Sequence, residues 1–81
     1  MSDNSKASAE LTFGERAVGI SFNPGGDPTV NAIKQKCAEI IDLYNDARSN
    51  SSDPEVKRMY SVAITEIQTG QMWGVKAATW K

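Results

Sequence analysis

Six apolar or small residues recur through the middle of the chain with steps of 3, 4, 3, 4 and 3: Val30, Ile33, Cys37, Ile40, Tyr44 and Ala47. That spacing keeps them on one stripe of a helix and is incompatible with the two-residue period of a strand. Asp27-Pro28 opens this segment. Asp accepts hydrogen bonds from the first free amides, and Pro tolerates the first helical position because its missing N–H has no partner there. The pattern predicts a helix over 28–48, with Ile41 widening the stripe and Lys34, Gln35, Glu39, Asp42 and Asp46 on other faces. The small polar run SNSSD at 49–53 reads as a turn.

Asp53-Pro54 repeats the same start signal, and no breaker follows before the end, so a second helix is expected from Pro54 to about Thr79. Val56, Tyr60, Ala63, Ile67 and Gly70 continue one seam. Met59, Val62, Ile64, Met72, Trp73, Val75 and Trp80 carry apolar character around much of the circumference. One partner helix does not cover that much surface. Gly70, Gly74 and Ala78 lie four apart and offer a smooth strip for close backbone approach; each mid-helix Gly costs about 1 kcal/mol relative to Ala, which close packing would offset. Upstream, Leu11, Glu15 and Val18 outline a short helix starting around Ser8, weakened by Thr12, Gly14 and Gly19. Met1 to Glu10 reads as a flexible N-terminal tail.

The chain has 81 residues, 40% hydrophobic and 7% aromatic. A domain of this size buries only about 60–65% of its unfolded surface and ordinarily needs a staple. Cys37 is the lone cysteine, so no internal disulfide forms, and without His no ordinary zinc site is available. Oligomerisation is the staple that is left. The same composition removes imidazole acid–base catalysis and the Ser-His and Cys-His pairs. A net charge of -1 and a pI near 5.2 argue against a polymeric nucleic-acid partner. No apolar run approaches a membrane span, and the start lacks a signal peptide's apolar region, so the expected setting is cytoplasmic.

Length arithmetic brings the chemistry-bearing residues to one end. At about 1.5 Å per residue the two helices run roughly 30 and 40 Å, so an antiparallel hairpin sets Pro28 beside about Gly74. Val75 to Lys81 then overhang the loop Phe22-Asn23-Pro24-Gly25-Gly26-Asp27-Pro28. Free amides at a Gly-rich helix start favour anions. Phe22 and the two Trp supply planar surfaces for bases, and Lys34, Lys36, Lys76 and Lys81 supply cations. Together these suit a small anionic nucleotide. Each feature also has a plainer reading: a capped turn for NPGGDP, a hydrophobic staple for Phe22, oligomer core for Trp73 and Trp80. Solvated helix surface would account for Lys34 and Lys36, and compensation of the helix dipole for Lys76. Cys37 reads as a small core residue. Glu15, Asp27, Glu39 and Glu66 have no metal-ligand or acid–base spacing.

Two stretches, GERAVGISFNPGGDPTVNAIKQKCAEIIDLYNDAR (14–48) and MYSVAITEIQTGQMWGVKAATW (59–80), resemble the small helical-hairpin sponges with which bacteriophages counter the cyclic-oligonucleotide defence CBASS. FNP, IIDL and MW…VKAAT are the most specific parts. The hairpin also resembles the helical part of the phage sponge against Thoeris, which sequesters a cyclised ADP-ribose signal. The resemblance implies an all-α hairpin with a short N-terminal helix over 11–81, assembled as an interlocked homo-hexamer, a trimer of dimers, in the host bacterial cytoplasm. It implies no cofactor and sequestration without cleavage. Cyclic dinucleotides such as cyclic GMP-AMP would sit between paired protomers, and cyclic trinucleotides at separate threefold sites.

Carried over residue by residue, Phe22 stands where the family usually has Tyr, without its hydroxyl bond. It would stack on a dinucleotide base beside Asn23, Pro24, Gly25 and Gly26, with Lys36 or Lys34 meeting phosphate. Lys76 and Thr79 would serve the trinucleotide site, where Lys in place of Arg loses the bidentate fork. A sponge for a cyclised ADP-ribose and a purely structural or protein-interaction hairpin are the alternatives; a cyclic-nucleotide-cleaving enzyme is disfavoured by the missing His.

Overall fold

The computed structural model describes residues 10–81, an all-α chain of three helices: α1 (Phe13–Ala17), α2 (Pro28–Ser49) and α3 (Pro54–Ala78). The two long helices start where the Asp-Pro pairs predict. Asp27 Oδ1 accepts from the amides of Thr29 at 2.7 Å and Val30 at 3.2 Å, and Asp53 Oδ1 accepts from Glu55 N at 2.9 Å. The first helix departs from expectation. The start proposed at Ser8 lies outside the described residues, and the described helix begins after Thr12. Thr12 and Glu15 form a reciprocal capping box, with Glu15 N donating to Thr12 Oγ1 at 3.0 Å and Thr12 N donating to Glu15 Oε1 at 2.9 Å. The polar tail expected over 1–10 falls, except for Glu10, outside the described residues.

α2 and α3 form an antiparallel hairpin, and α1 packs on α2. Near the turn the Tyr44 and Tyr60 rings meet at a centroid distance of 5.9 Å. At the far end Ile33 lies against the backbone of Gly74, where an added Cβ would sit 3.6 Å from its side chain. The hairpin register therefore puts Gly74 about one turn further along α2 than Pro28. Gly70 is open, with nothing within 4 Å of an added Cβ. Within one protomer the strip of small residues is thus a packing surface at Gly74 and not at Gly70.

The core sits at the junction of the three helices: Val18, Ala38, Ile41 and Ile64, with Ala17, Ile20, Cys37, Tyr44 and Ile67 packed around it. Its centre is rotated from the expected seam. Ile33, Cys37, Ile40, Tyr44 and Ala47 are only half-buried, whereas Val30, Lys34, Ala38 and Ile41 are buried and Ile41 is wholly inaccessible. The reason is that α2 serves two neighbours. The seam residues Ile33 and Tyr44 reach α3, while Lys34, Ala38 and Asp42 meet α1 and the loop behind it.

Gly14 makes that second contact possible. Its N–H donates to Asp42 Oδ1 at 2.7 Å, and a Cβ there would lie 2.1 Å from the Ala38 carbonyl oxygen. Gln68 of α3 closes the triangle, its Nε2 donating to Ala17 O at 3.2 Å. Phe22, Leu43, Met59, Val62, Met72, Trp73 and Trp80 remain exposed. Among the described residues no helix is long and apolar enough to cross a membrane.

Candidate functional site

After α1 the backbone turns at Gly19, whose φ of +63° is a region open to Gly and costly for other residues. The Gly19 carbonyl then accepts from Phe22 N at 2.9 Å. Asn23 clamps the next turn: its Nδ2 donates to Asp27 O at 3.0 Å and its Oδ1 accepts from Asp27 N at 3.2 Å. Gly26, at φ +64°, lets its N–H reach Asn23 O at 3.0 Å. The loop is therefore a built structure, with Asn23 acting as its brace.

Lys34 ties this loop to α2. Its ammonium donates to Gly19 O at 2.9 Å and also to Phe22 O, and it lies 5.5 Å from the centre of the Phe22 ring. The residue is 5% exposed, and desolvation lowers the Lys34 pKa from its ordinary value. An ammonium has three protons. Two are committed to carbonyls, which leaves one for a group in the space beside it.

That space is a cleft of about 500 Å³ at the open end of the hairpin, within the range of small-molecule sites. Phe22, Asn23, Pro24, Gly25 and Asp27 form one wall; Val30 and Lys34 line it from α2; Val75, Ala78, Thr79, Trp80 and Lys81 complete it from the end of α3. The predicted convergence of the loop with the overhanging last turn is found. Phe22 is 73% exposed, so it is no staple. Its ring stands free as a stacking face, backed by the Lys34 cation.

The remaining expected site residues divide. Thr79, assigned to a separate trinucleotide site, lines the same cleft as Phe22; its hydroxyl donates to Val75 O at 2.8 Å, leaving its oxygen able to accept. Lys76 does not line the cleft and instead sets its ammonium 5.6 Å from the Trp80 ring. Gly26 shapes the loop without lining the cleft. Lys36 is exposed and stands two residues, about 200°, around α2 from Lys34, so a single protomer does not bring it to this cleft. Trp73 is exposed and lies outside the cleft, whereas Trp80 lines it.

One electrostatic expectation changes. The first amides of α2 are not open to an anion, because the Asp27 carboxylate occupies those of Thr29 and Val30. Attraction for a phosphate in this cleft rests on Lys34 and Lys81 and is opposed by Asp27. Among the described residues no group of three or more His, Cys, Asp or Glu side chains is placed to hold a metal ion.

A helical hairpin whose open end joins an exposed aromatic ring, a braced Gly-Pro loop and lysines around one cleft has the make-up of a candidate small-ligand site. Residues 15–79 match the family model described as "Acb2/Tad1, hairpin domain", and the chain belongs to that family, the phage sponges against CBASS and Thoeris. No curated protein and no solved structure matches the chain.

Proposed function

We propose that this protein sequesters cyclic dinucleotides, such as cyclic GMP-AMP, in the cleft at the open end of its hairpin and releases them unaltered. The observation that carries this reading is the pairing of Phe22 with Lys34: a free aromatic face beside a buried ammonium that lines the cleft and gives two of its three protons to the Gly19 and Phe22 carbonyls. Phe22 stacks on a base, and Lys34 meets a phosphate with its third N–H. Asn23, Pro24 and Gly25 present the loop edge to the sugar. Family membership supports the sponge role, and the absence of His from the sequence agrees with binding without turnover.

Sequestration of a nanomolar to micromolar messenger needs about 8–12 kcal/mol. A stacked base contributes roughly 1–3 kcal/mol, and a charge-assisted hydrogen bond about 1.5–3 kcal/mol. One protomer's cleft thus accounts for part of the requirement, and a second copy closing over the ligand supplies the rest. The exposed Leu43, Met59, Val62, Met72 and Trp73 provide apolar surface for such assembly, which we take to be the interlocked hexamer. Lys36, exposed on the outer side of α2, and Lys76 then act across subunit boundaries, Lys76 at the trinucleotide site.

The test is ligand recovery. Protein mixed with cyclic GMP-AMP is passed through a membrane that retains it, the retained fraction is heated, and nucleotide is quantified by chromatography. Depletion from the filtrate followed by intact recovery on heating is the expected result. Recovery of a hydrolysed product would make the protein an enzyme. Cyclic GMP-AMP left wholly in the filtrate would reject it as the target, and a cyclised ADP-ribose or a cyclic trinucleotide retained in its place would reassign the ligand.

A further inference from the structure

The family match ends at residue 79, and the two residues that follow it line the cleft. Trp80 is 72% exposed, close to the value for Phe22. A ring of this size left uncovered keeps a large apolar surface in water. Its backbone is fixed, since Trp80 N donates to Ala77 O at 3.3 Å and continues the last turn past α3; the residue lines the cleft, and the Lys76 ammonium lies 5.6 Å from the ring. The two sides of the cleft are built alike, each with an exposed aromatic and a lysine near its ring. They are reached from opposite ends of the sequence, one from the loop before α2 and one from the turn after α3.

We propose that Trp80 is a second stacking wall of the cleft, so that within each protomer a bound cyclic dinucleotide meets an aromatic face from the end of α3 as well as Phe22 from the loop. This rests on the cleft being the nucleotide site. Lys81, next to Trp80 in the sequence and also in the cleft lining, adds a cation from the end of α3. A cyclic dinucleotide carries two bases and two phosphates on one closed ring, and this arrangement offers an aromatic and a cation on each side. The assignment makes Trp80 a determinant of ligand choice, because a signal with a single base gains from only one of the two walls.

The experiment uses the full chain and cyclic GMP-AMP. Calorimetric titration compares the unmodified protein with Trp80→Ala, Trp80→Phe and Phe22→Ala, and light scattering gives the oligomer mass of each. In a Trp73→Phe background Trp80 is the remaining tryptophan, so its emission reports directly on stacking. Stacking worth roughly 1–3 kcal/mol per base predicts a loss of affinity of about five- to 150-fold for Trp80→Ala. Most of the affinity should persist in Trp80→Phe, with oligomer mass unchanged and Trp80 emission quenched by ligand.

Affinity within twofold of the unmodified protein in Trp80→Ala, or Trp80 emission indifferent to a ligand that binds, would overturn the second wall and leave the sponge reading standing. Loss of oligomer mass together with binding in Trp80→Ala would make Trp80 an assembly contact and also overturn it. Failure of the unmodified protein to bind cyclic GMP-AMP or any other cyclic dinucleotide would overturn both readings.

Discussion

Replacing Gly14 with Ala sets two physical effects against each other. Within a helix, Ala is favoured over Gly by about 1 kcal/mol, so local propensity predicts stabilisation. The tertiary structure predicts the reverse. The new Cβ would lie 2.1 Å from the Ala38 carbonyl oxygen, 2.9 Å from its carbon and 2.9 Å from Asp42 Oδ1. Two of these atoms belong to the α2 backbone and do not swing aside. Ordinary contact begins at 3.4 Å, so α1 must withdraw by about 1.3 Å, an overpacking strain of about 1–3 kcal/mol.

That withdrawal stretches the 2.7 Å bond from Gly14 N to Asp42, and hydrogen bonds to charged groups contribute about 1.5–3 kcal/mol. Against the gain of about 1 kcal/mol the net is a loss of about 3 kcal/mol, a large share of a small domain's stability. Urea unfolding followed by far-UV circular dichroism, at one fixed protomer concentration, measures it. Gly70→Ala is the matched control: the site is mid-helix with nothing within 4 Å, so it should gain up to about 1 kcal/mol. A Gly14→Ala protein as stable as the unmodified one would refute the argument. Destabilisation by Gly70→Ala would reveal a second copy packed on that strip.

Lys34→Met removes the tie between α2 and the loop and should cost about 1–3 kcal/mol in the same assay, as well as weakening cyclic GMP-AMP binding. Because burial lowers the Lys34 pKa from 10.5, the unfolded chain holds that proton more tightly. Stability then rises as pH climbs from the lowered folded value toward 10.5. The stability gap between the unmodified protein and Lys34→Met should widen over that range, and a gap that stays constant would contradict the assignment. Cys37 is half-buried with its thiol pKa raised by desolvation. It should react more slowly with a thiol-specific disulfide reagent in the native protein than in urea; equal rates would place it at the surface.

Helix boundaries were legible in the sequence because their causes are local. Asp27-Pro28 and Asp53-Pro54 carry the cap acceptor and the donor-free first residue in adjacent positions, and no distant contact is needed to read them. The end cleft was legible too, since helix length and a short turn dictate which ends meet. The orientation of α2 about its own axis was not. Stripes through Ile33, Cys37 and Ile40 and through Ala38 and Ile41 are both apolar at helical spacing, and the choice depends on where α1 docks.

The tertiary structure also decided what individual residues do. Gly14 reads as a weak helix former until the Ala38 carbonyl is set against it, and Lys34 reads as surface charge until the carbonyls of Gly19 and Phe22 close on it. Trp80 reads as assembly core until the last turn carries it to the cleft wall. Sequence by itself determined the two long helices, their Asp-Pro caps and the residues gathered at one end, because propensity, capping and length act within a few residues or by simple geometry. Only the packed structure determined which faces are buried and which donors are spent. Those follow from contacts between residues 12 to 51 positions apart, such as Lys34 with Phe22 and Gly19 and Gln68 with Ala17.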